Sequence, residues 1–184
     1  MEPEDQNAPW AQCYAHFGLS DTEFDIEIAG LKLAFFLANF GMFRGNATIR
    51  NKKLKTFMEI AEICRRYNFL RCLTIQNLIN NSERVTAFLE ELQVFLNDNE
   101  ISATDTLVTK IALATTSCVP GYDRFVKIAL RNRNISASPS QRGLNQLYAA
   151  CGEGEILSEF VQNADQTVPI MRSLDRHLLA AGRL

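Results

Sequence analysis

Glu83-Arg-Val85-Thr-Ala-Phe88-Leu89-Glu-Glu-Leu92-Gln-Val-Phe95-Leu96-Asn97 places Val85, Phe88, Leu89, Leu92, Phe95 and Leu96 at the three- and four-residue intervals that line one face of an α-helix. A strand would scatter the same residues over both of its faces. Outward from this stretch the helical period recurs along most of the chain. No run shows sustained alternation with the β-branched and aromatic enrichment of a sheet, so the sequence predicts an all-α fold.

Toward the N-terminus, Ser20-Asp-Thr-Glu23 has the spacing of a capping box. It predicts a first helix to about Phe40 with Phe24, Ile28, Leu31, Phe35 and Ala38 on one stripe. Because Ile26, Leu33, Phe36 and Leu37 occupy the other faces, this helix reads as the buried centre of the bundle. Gly41 and Gly45 end it. A second helix is expected from about Thr48 to Tyr67 through Leu54, Phe57, Met58, Ala61 and Cys64, and a weaker third from Leu70 to Asn80.

C-terminal to the opening stretch, helices are expected over Ala103 to Ser117 and Tyr122 to Asn132, joined by Pro120-Gly121. Ser138-Pro139 suits the N-cap and first position of a helix running through Leu144, Leu147, Tyr148 and Cys151 to Gly152. Two shorter helices follow, around Ile156 to Gln162 and from Val168 to Ala181. In 184 residues, 47% hydrophobic and 22% charged, this makes one globular domain. We expect a single-domain bundle of about eight or nine helices over residues 1–184, with 1–19 a less regular acidic segment.

The longest apolar stretch, Leu33 to Phe43, is too short to span a bilayer. The acidic start, Met1-Glu-Pro-Glu-Asp5, lacks the pattern of a signal peptide. A cytoplasmic protein with no membrane partner is expected, and a homo-oligomer is compatible with the sequence. Cys13, Cys64, Cys72, Cys118 and Cys151 are odd in number, widely spaced and mostly in apolar helical sequence, and read as reduced thiols. With no C-x-x-C pair and only His16 and His177, the sequence nominates no metal site and no cofactor.

Charge is uneven behind the net value of −2. Residues 1–31 carry seven acidic side chains and no Lys or Arg, whereas residues 44–71 carry Arg44, Arg50, Lys52, Lys53, Lys55, Arg65, Arg66 and Arg71 against Glu59 and Glu62. A second basic group, Lys110, Arg124, Lys127, Arg131 and Arg133, surrounds Asp123. Cations crowding the first turns of the second helix oppose its dipole, so local helix stability does not account for them. They nominate an anionic partner, protein or nucleic acid. The competing reading is a solvated face balanced by the acidic N-terminal region.

Thr106-Leu-Val-Thr-Lys110-Ile-Ala-Leu-Ala-Thr-Thr-Ser-Cys118-Val-Pro-Gly-Tyr122-Asp123-Arg124 puts a lysine into an apolar helix and an aspartate just past the following turn. A lysine so placed must be paired, reach outward, or lose its charge. Two readings stand: a buried Lys110–Asp123 clamp that fixes the turn, or a reactive amine beside a carboxylate. The binding candidates are Arg44, Lys52, Lys53, Lys55, Tyr122, Arg124 and Lys127; the catalytic candidates are Lys110 and Asp123. Gly41-Met-Phe-Arg44-Gly45 is a second turn able to approach an anion, although it lacks the Gly-Lys-Ser/Thr of a P-loop.

Val119 to Val126 resembles the segment bearing the catalytic aspartate in helix-hairpin-helix DNA glycosylases, which implies a nucleic-acid-processing alternative. The Leu-Pro-Gly-Val-Gly-type hairpin of that class is missing here. Leu33 to Gly45, together with Thr106 to Lys110 and Cys118 to Phe125, resembles a group of uncharacterised bacterial proteins with Gly-Met-Tyr-Arg-Gly-like and Pro-x-Tyr-Asp-Arg-like motifs. Phe40 stands where that group suggests Trp, and Phe43 where it suggests Tyr. The resemblance covers roughly the first three quarters of the chain. It implies a bacterial source and a shared site of Arg44, Lys110, Tyr122, Asp123 and Arg124, but it brings no activity.

Overall fold

The computed structural model describes residues 8–45, 47–152, 155–165 and 167–183. Among these there are ten α-helices and no strand: α1 (Ala8–Phe17), α2 (Ile26–Asn39), α3 (Leu54–Arg66), α4 (Ile75–Asn80), α5 (Ser82–Asp98), α6 (Asp105–Thr115), α7 (Arg124–Arg131), α8 (Gln141–Ala150), α9 (Ser158–Asn163) and α10 (Ile170–Ala181). Their buried apolar side chains merge into one core. The stretch Glu83–Asn97 lies in α5 and buries Val85, Phe88, Leu89, Leu92 and Leu96.

Residues 8–17, expected to be irregular, form α1, which buries Trp10, Cys13 and Phe17; residues 1–7 lie outside the described residues. The Ser20–Glu23 capping box closes only a turn, with Ser20 Oγ donating to Glu23. The helix begins later, where the Asp25 carboxylate accepts from Ile28 N–H at 2.9 Å. Ser140, rather than Ser138, caps α8 by accepting from Gly143 N–H.

The central helix is α6, not α2. Every residue from Leu107 to Thr115 is buried. The polar residues on and after α6 satisfy themselves: Thr109, Thr115, Thr116 and Ser117 donate their hydroxyls to carbonyls four residues back. A helix of this composition therefore enters the core without orphaned donors.

α2 instead forms a hairpin with α3, packed closely where Gly30 meets the backbone of Phe57 and Met58. It buries Ala29, Leu33, Phe36 and Leu37. The stripe of Ile28, Leu31, Phe35 and Ala38 expected to face inward points to solvent.

Candidate functional site: a buried ion cluster beside the Pro-Gly turn

α6 ends at Thr115, and Ser117 takes a positive φ of 51° that turns the chain back. Residues Cys118 to Tyr122 then return alongside α6, wholly buried. Side chains satisfy this irregular backbone. Tyr122 N–H donates to Thr109 Oγ1 at 2.8 Å, Thr106 Oγ1 donates to the Tyr122 carbonyl at 2.9 Å, and Tyr148 Oη donates to the Cys118 carbonyl at 2.9 Å. Asp123 follows as the N-cap of α7, accepting from the N–H groups of Phe125 and Val126, each at 3.0 Å.

Lys110 Nζ lies 3.4 Å from Asp123 Oδ2 and 3.7 Å from Asp175 Oδ1. Asp175, on α10, is shared further. Its Oδ1 accepts from Gly121 N–H at 2.8 Å, and its Oδ2 accepts from Arg172 Nη1 at 2.9 Å. Two cations and two carboxylates thus cancel in charge. Side-chain exposure is 4% for Lys110, 5% for Arg172 and 1% for Asp175; Asp123, at 23%, is the member nearest water. Aromatic rings close the cluster: Phe40 lies 5.4 Å from Lys110 Nζ and 5.5 Å from Arg172 Cζ, and Trp10 lies 5.2 Å from Arg172 Cζ.

Gly121 is required for this arrangement, because a Cβ there would stand 2.6 Å from Lys110 Cε and Nζ. The lysine passes over a residue with no side chain. Burial lowers the Arg172 pKa from its ordinary value, while Asp175 opposes that shift. Tyr122 Oη is buried with no hydrogen-bond partner among the described residues, and burial raises its pKa.

The structure brings Lys110 and Asp123 together; among the described residues Phe40, which precedes the Gly41 turn, borders them, and no contact joins Arg44 to the pair. Arg44 is exposed and forms no salt bridge among the described residues. Tyr122 belongs to the core, so its side chain presents no surface to a macromolecular partner. Lys127 pairs with Asp105 at 2.8 Å, and Arg124 is exposed. Lys53 and Lys55 are exposed and Lys52 half-buried; Lys55 makes a 3.8 Å contact with Glu59.

Sequence reasoning missed Asp175 and Arg172, although the signal was present. Asp175 interrupts the apolar stripe Met171, Leu174 and Leu178 as Lys110 interrupts its own. Three surface hollows are lined by Gln141, Arg142, Asn145, Gln146 and Ala149, by residues that include Thr86, Glu90, Asp105 and Ser138–Ser140, and by Phe24, Ile26, Glu62, Arg65 and Arg66. None is lined by Lys110, Asp123, Arg172 or Asp175.

The geometry defines an all-α protein locked by a neutral, desolvated ion quartet. No protein-family model, curated protein or solved structure matches the chain. Among the described residues no helix is long and apolar enough to cross a membrane, and no three His, Cys, Asp or Glu residues are grouped to hold a metal ion.

All five cysteines are free, and only Cys72 is exposed. Burial pushes Cys118 up to about 12, so its thiol stays protonated and is a poor nucleophile at neutral pH. A small alkylating reagent is expected to modify Cys72 alone in the folded protein and all five thiols in urea, as counted by mass spectrometry. Fast native labelling of Cys13 or Cys118 would contradict the packing described.

Proposed function

We propose that the protein is a cytoplasmic binding module whose anionic partner lies against the connection from Arg44 into the first turn of α3. The observation carrying this reading is how the fold divides the basic residues of 44–71. Arg65 is spent on the carbonyls of Phe17 and Leu19 and on Asp21. Arg66 pairs with Glu91, and Arg71 donates to the Thr115 carbonyl. Arg44, Arg50, Lys52, Lys53 and Lys55 are left on the connection, where, among the described residues, Arg50 donates to the Gly45 carbonyl and exposed Lys55 makes only the 3.8 Å contact with Glu59. The N-terminus of α3 beside them has no side-chain cap and no carboxylate in its first turn. Its free N–H groups and the lysines suit the same charge, that of a phosphate or carboxylate.

The rival reading, a glycosylase-like enzyme using Lys110 and Asp123, requires a substrate to reach the amine. The near-complete burial of Lys110 between two carboxylates supports the clamp instead. The bacterial source implied by the two motifs belongs to the same proposal.

A mobility-shift titration with duplex DNA, and a parallel one with heparin, tests the module. Three or four phosphate contacts should weaken DNA binding about 40- to 150-fold between 50 and 200 mM salt. Reversing Lys52, Lys53 and Lys55 to Glu should abolish the salt-sensitive binding. Retention of heparin alone would point to an acidic protein, and no binding of either polyanion at low salt would remove the proposal.

A further inference from the structure

The outward face of α2 is an apolar row left exposed among the described residues. Ile28, Leu31 and Phe35 are 43%, 51% and 53% exposed, and Ala38 continues the row at the surface. Their intervals of three, four and three residues are those of alternating a and d positions in a two-stranded helical seam. An aligned group of large apolar side chains facing water marks an interaction face, whereas single exposed ones do not.

The charges beside the row identify its occupant. With Ile28 and Phe35 at a, and Leu31 and Ala38 at d, Glu27 occupies g and Lys32 the following e. In a parallel pair, g of one helix faces the next e of the other. Glu27 of each copy then meets Lys32 of the second copy, twice across a two-fold axis. An antiparallel pair centred on the same row would set Lys32 against Lys32. The next g and e residues, Ala34 and Asn39, are uncharged and oppose neither arrangement.

We infer that the α2 face seats a second copy of this chain in a parallel homodimer, sealed by Ile28, Leu31 and Phe35 and registered by Glu27–Lys32 pairs. The two-fold axis runs along α2, so both Arg44–Lys55 connections fall at the same end of the assembly. The dimer itself does not depend on the anion-binding reading.

Sedimentation of the full chain up to about 100 µM tests the inference, since modest interfaces associate in that range. The expected result is twice the monomer mass. Leu31→Glu with Phe35→Glu is expected to give a monomer with an unchanged far-UV spectrum. Glu27→Lys or Lys32→Glu alone should each raise the dimer dissociation constant about ten-fold, and the two together should restore it to within about three-fold. A chain that stays monomeric throughout, its row left for a lipid surface or a different protein, overturns the inference. So does a dimer indifferent to the two charge reversals.

Discussion

Asp175→Ala is expected to cost about 5 kcal/mol, the upper end for breaking a buried ion pair. This one carboxylate serves two buried cations and the Gly121 N–H. Its removal takes a carboxylate from both Lys110 and Arg172, shifts the charge of the cluster by +1, and leaves a backbone donor unsatisfied as well. For a chain of this size the melting temperature should fall by about 10–20 °C. Lys110→Met should cost less, about 3 kcal/mol, because Asp175 keeps Arg172 and Asp123 borders water. Adding Asp123→Asn should then recover part of the loss: the charge balance returns, and the Asn Oδ1 can still cap α7. Thermal melts of the four proteins decide the matter. An Asp175→Ala protein as stable as the parent, or a Lys110→Met protein that is more stable yet inactive in cells, would revive the catalytic reading.

The second large effect is alkaline unfolding. Burial pushes Cys64, Cys118 and Cys151 up to about 12 from an ordinary 9.0, and raises Tyr122 and Tyr148 above 10.0. These groups keep their protons in the folded chain at a pH where the unfolded chain has released them. Their contribution is therefore complete below pH 9 and is lost as pH rises toward 12. At about pH 10.5 each of the three thiols withdraws about 2 kcal/mol, and together they match much of an ordinary folding margin of about 5–15 kcal/mol. Helical circular dichroism is expected to collapse between about pH 10 and 11. Cys64→Ala with Cys118→Ala should flatten the fall even if it lowers stability at neutral pH. A native spectrum persisting at about pH 11.5 would show that these thiols reach water.

Much of this molecule was legible locally. The α5 stripe could be read because a helix imposes its period on neighbours three and four residues apart. The Lys110–Asp123 pair could be read because the two residues flank one Pro-Gly turn, thirteen positions apart. The cap of α2 was misplaced because Ser20 and Glu23 do bond to each other, in a turn rather than a helix.

Periodicity finds a face but does not say where the face goes. Ile28, Leu31, Phe35 and Ala38 were correctly aligned and turned the wrong way, since α2 carries apolar residues on most of its circumference and nothing local chooses which side the α3 hairpin covers. α6 became the central helix because its hydroxyls bond to its own carbonyls and its one lysine meets carboxylates from two other places in the chain. The second carboxylate lies 65 positions from Lys110 in sequence. The sequence by itself determined the all-α class, most of the helices though not α1 or every boundary, and the lysine that had to be neutralised. Only the tertiary structure decided which helix is central, that Asp175 and Arg172 complete the quartet, and which cations remain at the surface, because those outcomes depend on contacts between residues with no local relation along the chain.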